Sequence, residues 1–138
     1  MDAALLRSSF SLILAREHGL AAKFYEILFR RNPELKRLFV GDRVHQEQML
    51  ARALVAMVDR IDDAPWIEDQ LSQLAKRHAR YGVTPEMFRP FGEALLATLA
   101  EVAGKDWTPE VAAAWSEAFV EMTRLMLKGA GIGATIAQ

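Results

Sequence analysis

The sequence predicts an all-α domain of six to seven helices, and three observations carry that expectation. Alanine and leucine outnumber valine, isoleucine and threonine by roughly two to one, a bias toward helix formers over strand formers. Apolar residues recur at three- and four-residue steps, and no alternating strand pattern or solenoid-length repeat interrupts them. Proline and glycine fall where helices start and stop. At 138 residues the chain is expected to be one domain over 1–138, and its 51% hydrophobic fraction supplies enough apolar material for a core.

The expected helices are 3–18, 20–31, a short piece at 33–38, then 43–61, 66–80, 85–103 and 109–128. Gly19 separates the first two. Asn32-Pro33 reads as an N-cap followed by a first-turn proline. Gly41-Asp42 opens the next helix, whose stripe is Leu50, Ala53, Leu54, Met57, Val58 and Ile61. The 66–80 pattern carries Ile67, Leu71 and Leu74, and Gly82 marks its stop. Thr84-Pro85 starts the helix of Phe88, Phe91, Leu95, Leu99 and Val102, and Gly104 closes it. Thr108-Pro109 starts the last one, with Val111, Trp115, Ala118, Phe119, Met122 and Met126 on one face. The tail from Gly129 to Gln138 has no charged side chain and is expected to fray.

Several function classes drop out on composition. With 17 basic and 18 acidic residues the net charge is -1, which gives no electrostatic reason to expect a nucleic-acid or membrane partner. The absence of cysteine removes disulfides, thiolate metal sites, Cys-x-x-Cys-His attachment and cysteine nucleophiles. No apolar run reaches the ~18 residues that span a bilayer. The run from Ser8 to Ala15, between Arg7 and Arg16, is too short for a secretory signal. A soluble, cytoplasmic domain is the expectation.

The informative residues are the polar ones that break an apolar face. His78 continues the series Ile67, Leu71, Leu74, so its imidazole points where a core residue should point. Two readings fit: a core histidine bonded to a backbone carbonyl, or a ligand to a metal or a prosthetic-group iron. Gln46 heads the stripe that continues through Leu50. It either donates into whatever that stripe faces or sits in a first turn that is still wet. Tyr25 shares a face with Leu28 and Phe29, as core packing or as a hydroxyl that seeks a partner. His45 points about 100° away from Gln46 and is expected to face solvent, and His18 reads as a cationic cap at a helix end. Asp62-Asp63 with Glu68-Asp69 reads as a solvated acidic loop. No histidine pair at i, i+4, no phosphate loop and no serine with a base at sensible spacing occurs, so no hydrolase or zinc-helix constellation survives and no catalytic residue is assigned.

Taken together, Phe24-Tyr25-x-x-Leu28-Phe29, Asn32-Pro33-Glu34, Leu38-Phe39, Gln46-x-x-x-Leu50, Leu74-x-x-x-His78, Tyr81-Gly82-Val83 and Ala114-Trp115 form a pattern larger than any one of them. It resembles the single-domain, flavohaemoglobin-related group of bacterial globins, over about residues 4–128. The resemblance implies a globin fold around a haem b pocket. It implies His78 as the axial ligand to iron and Phe39, Leu50, Leu74, Val83, Phe88 and Phe91 as cofactor contacts. Tyr25, Gln46 and Leu50 would form the gas-binding side. The implied function is reversible binding of dioxygen, and of nitric oxide and carbon monoxide, for transport or storage. An alternative is nitric oxide dioxygenase activity fed by an external reductase, and a third reading is a haem-free helical signalling scaffold with a globin outline. A monomer or a homodimer fits equally. Two positions depart from the family pattern. Phe88 stands where a tyrosine often polarises the axial histidine, and the glutamate that often does the same has its approximate counterpart at Ala130.

Overall fold

Asp2 accepts a hydrogen bond from the Leu5 N–H (3.0 Å) and so starts the first helix, α1 (Ala3–Arg16). The computed structural model describes residues 1–39 and 41–129. Among these, α2 (Leu20–Arg31) follows, then a 3-10 turn at Pro33–Leu38, α3 (Arg43–Asp59), α4 (Ala64–Arg80), a 3-10 turn at Pro85–Met87, α5 (Phe88–Ala103), a 3-10 turn at Gly104–Asp106, and α6 (Pro109–Gly129). No strand occurs among the described residues. The all-α expectation and its element order hold.

The boundaries differ where capping chemistry overrides periodicity. α1 stops at Arg16 with Glu17 as its C-cap, so exposed His18 lies outside the helix and is not its cationic cap. Arg16 is the cation in its last turn, and the guanidinium caps the end of α5 instead, donating to the Ala103 carbonyl (2.7 Å) and pairing with Asp106. Gly19 is the N-cap of α2, at φ -97°, and not a left-handed stop. α4 begins at Ala64 because Asp63 accepts from the Trp66 N–H (3.2 Å). Asp62 pairs with Arg7 at 2.8 Å, so the supposed acidic loop contributes a helix cap and an ion pair. Gly129 closes α6, and the rest of the expected flexible tail lies outside the described residues.

Three apolar clusters hold these helices. The largest joins α1 to α5 and α6 through Leu6, Phe10, Ile13, Leu99, Val111 and Trp115. There the Trp115 indole N–H donates to Ser9 Oγ at 2.9 Å, and its ring meets Phe10 at a centroid distance of 5.8 Å. A second cluster packs α2 across α5, and a third seats Ile67, Leu71 and Ala75 of α4 on Leu125 and Met126 of α6. No helix of the described residues is long and apolar enough to cross a membrane.

The α5–α6 crossing is close because Gly92 has no side chain. A Cβ placed there would lie 2.0 Å from Phe119 Cζ. Gly92→Ala is therefore expected to dislodge the Phe119 ring and to cost about 1–3 kcal/mol, read as a lowered urea midpoint. A midpoint equal to that of the parent would show that the crossing adjusts without loss.

Candidate functional site

α4 ends one turn beyond the stripe that seats it on α6, and His78 lies in that last turn. Its Nδ1 is 2.8 Å from the Leu74 carbonyl oxygen. A carbonyl only accepts, so the ring proton sits on Nδ1 and the lone pair on Nε2. The carbonyl partner allowed by the core-histidine reading is present, and it serves one nitrogen only. Among the described residues no hydrogen bond engages Nε2. Burial pushes the imidazole pKa below its ordinary 6.5; the Leu74 bond opposes that shift and the Arg77 charge adds to it. The ring is neutral near pH 7.

The backbone of His78 is held as firmly. Its carbonyl accepts from the Val83 N–H (3.1 Å), and the Ala79 carbonyl accepts from the Gly82 N–H (3.1 Å). These two bonds make a Schellman cap, with Gly82 at φ +86° in the left-handed position it needs. Val83 thus acts through its main chain. The motif Tyr81-Gly82-Val83 reads structurally as the device that stops α4 just past His78.

An aromatic box stands on α2 and the turn after it. The Phe39 ring lies 5.2 Å from Tyr25, 5.3 Å from Phe29 and 6.0 Å from Phe91, centroid to centroid. Tyr25 is 6% exposed, and among the described residues no hydrogen bond holds its hydroxyl. Burial raises its pKa above 10.0, Arg43 lowers it, and Glu47 raises it further. Arg43 lies over the faces of Phe29 (4.8 Å) and Tyr25 (5.5 Å). Periodicity gave no reason to single out Arg43 or Glu47. The available signal was a cation in the first turn of α3, where the helix dipole disfavours it. Gln46 is half-buried one turn before Leu50, and His45 is exposed as expected.

Tyr25, Phe39, Leu50 and Phe91 fall in the α2–α5 cluster, whereas Leu74 and Phe88 fall in the separate α4–α6 cluster. All six apolar candidates, Val83 included, are only half-buried, in a domain that buries Leu6, Ile13, Leu28 and Leu99 almost completely. Among the described residues no group of three or more His, Cys, Asp or Glu converges as a metal cage. His78 therefore offers a single protein ligand, and the six apolar candidates are surfaces that the chain itself leaves partly uncovered. That donor set suits a flat apolar prosthetic group carrying its own equatorial ligands.

A globin family model matches residues 22–126. The chain belongs to the globin family. It is 36% identical over 115 residues to a flavohemoprotein of Rhizobium meliloti, which covers 80% of this chain and 28% of that one. The globin thus spans little more than a quarter of that relative's length. A globin-like protein of Aquifex aeolicus is 34% identical over 116 residues, covering 83% of this chain and 82% of that one. Among solved structures it resembles an engineered carbene transferase built on a Rhodothermus marinus protein described as a candidate nitric oxide dioxygenase. That match has a TM-score of 0.81 and 29% identity, with 99% and 96% of the two chains covered. A bacterial globin from Campylobacter jejuni, at TM-score 0.78 and 19% identity over 98% and 96% of the chains, shares the fold. Membership of this family implies binding of haem and of a diatomic gas.

The half-buried neutral imidazole has a consequence for acid stability. Unfolded, His78 takes up a proton near its ordinary 6.5; folded, it does so only at lower pH. The metal-free globin should therefore keep this contribution above about pH 6.5 and lose stability as pH falls through that value toward the lower folded one. His78→Gln should flatten that part of the stability profile. Nuclear magnetic resonance showing His78 titrating at or above 6.5 would contradict the assignment.

Proposed function

We propose that this globin holds haem b through His78 and binds dioxygen reversibly, together with other diatomic gases such as nitric oxide and carbon monoxide, in oxygen transport or storage. The observation that carries the reading is the imidazole with Nδ1–H committed to a carbonyl and a lone pair at Nε2. Haem b, when bound, supplies an iron coordination position for the gas. Phe39, Leu50, Leu74, Val83, Phe88 and Phe91 would cover its apolar faces and exclude water. Tyr25 and Gln46 would donate hydrogen bonds to the gas ligand, and the hydroxyl of Tyr25 is free to do so among the described residues.

The histidine's own partner bears on which chemistry is favoured. Nδ1–H goes to a neutral carbonyl, and Phe88, at the position where the family often has a tyrosine, carries no hydrogen-bonding group. The second departure, Ala130, lies outside the described residues. An imidazole with a neutral acceptor gains little anionic character, so it donates weakly to a metal and favours reversible binding over O–O cleavage. The flavohemoprotein relatives and the Rhodothermus structure favour a second reading, nitric oxide dioxygenase with an external reductase in the cytoplasm. Nitrate formed once per oxygenated protein without a reductase, and repeatedly with one, would support it.

Absorption spectra of the purified ferric, ferrous and oxygenated protein test the first reading, and His78→Ala should lose the pigment or change its axial coordination. An unaltered spectrum in that variant would refute it. Tyr25→Phe combined with Gln46→Leu should raise the oxygen dissociation rate at least tenfold, since each charge-assisted bond is worth ~1.5–3 kcal/mol. An unchanged rate would eliminate both donors.

A further inference from the structure

The basic residues of this globin are not spread evenly. Segments 30–43 and 76–89 hold nine of the 17 Lys and Arg but three of the 18 Asp and Glu, a net charge of +6 against -7 over the rest. The two segments meet, since a methyl group on Gly82 would lie 3.8 Å from Leu38 Cδ2. Arg30, Arg31, Lys36 and Arg37 lie within eight residues of Leu38 along the chain, Lys76, Arg77, Arg80 and Arg89 lie within seven of Gly82, and all eight are exposed.

Their pairing also differs. Six of the eight cations elsewhere are in ion pairs. Within the two segments Arg89, held by Glu93, is the single cation so paired among the described residues. Like charges left uncompensated at one end repel one another and sustain a positive potential there. Amid them Tyr81 is 73% exposed, an outward aromatic beside arginines, the composition that marks the anchors of protein–protein interfaces.

We propose that this basic face, centred on Tyr81, docks the acidic surface of an electron-donating protein. The identity of the partner as an electron donor rests on the haem reading above; the docking face itself does not. The face borders both halves of the candidate site, since Tyr81 follows His78 by three residues and Phe39 follows Leu38. Each encounter would pass one electron, lost by a reduced flavin on the partner and gained by the iron at His78, with no bond made or broken. An extended polyanion is the poorer occupant, because the -7 remainder of the surface repels nucleic acid or an anionic bilayer, whereas a protein can present one acidic patch.

The test titrates the whole globin, with and without its pigment, into a fluorescently labelled flavodoxin, an acidic flavin protein. Binding should weaken steeply with salt, and Arg37→Glu with Arg80→Glu should weaken it at least about tenfold at about 20 mM salt. Arg52→Glu with Lys105→Glu makes the same change in net charge on exposed residues elsewhere and should leave binding within about twofold. Equal effects of the two pairs, or no effect of either, would overturn the proposal. So would tighter binding to duplex DNA or phosphatidylglycerol vesicles, or self-association of the globin at low salt. A chain that takes up no pigment on reconstitution yet still shows the reversal effect supports the face while refuting the haem reading. A pigmented chain without the effect overturns the face alone.

Discussion

The hydrogen bond from His78 Nδ1 to the Leu74 carbonyl, at 2.8 Å, is the constraint on which the candidate site depends. It selects the tautomer, fixes the ring about its Cβ–Cγ bond and aims the remaining lone pair away from the helix. It holds only because the helix beneath it is rigid. Ile67, Leu71 and Ala75 recur every four residues and seat α4 on Leu125 and Met126, so Leu74 cannot rotate without unseating that face. The Schellman cap then secures the far side, with the Val83 N–H on the carbonyl of His78 itself. Side chain and main chain of one residue are thus restrained from opposite directions.

The other half of the site is organised by burial and charge. Tyr25 sits among Phe24, Phe29 and Phe39, where ionising its hydroxyl is costly, so the phenol remains a donor. Arg43 and Glu47, one helical turn apart, pull that balance in opposite directions. The guanidinium keeps its place by lying on the stacked faces of Tyr25 and Phe29, which are 5.8 Å apart and inclined by 24°. Asp42, whose side chain accepts from the Val44 N–H at 3.0 Å, supplies the negative charge that tolerates a cation at this helix start.

Much of this was legible in the sequence, because hydrophobic periodicity reports the face a helix buries. His78 could be singled out for continuing the Ile67–Leu71–Leu74 series, and the Thr108 cap is realised by its bond from the Val111 N–H at 3.2 Å. Local capping was less legible, since one residue can serve two elements. Asn32 sends its side-chain amide back to the Leu28 carbonyl (3.4 Å), closing α2 rather than capping the turn it precedes. Asp63 was hidden in an acidic run whose charge obscured its role as a cap. Contacts across long stretches of chain leave no periodic trace at all. Arg43 over Phe29, Leu38 beside Gly82 and Ser9 under Trp115 arise from packing between segments far apart in the chain.

The half-buried state of Phe39, Leu50, Leu74, Val83, Phe88 and Phe91 follows from two demands on one small domain. Elsewhere the helices meet closely enough to bury leucines and isoleucines almost completely, so sequence and packing density are no obstacle to covering these six. Five of the six, all but Val83, are divided between an α2–α5 cluster and an α4–α6 cluster that share no member. A chain that covered these side chains would gain hydrophobic stabilisation at about 25 cal/mol per Å². Leaving them half-covered forgoes that gain and leaves the native state to be stabilised by any group that covers them. Any such ligand binds the folded chain and not the unfolded one, so its affinity adds directly to stability. On the proposed reading, fold stability and ligand affinity are coupled through the same six side chains and one nitrogen.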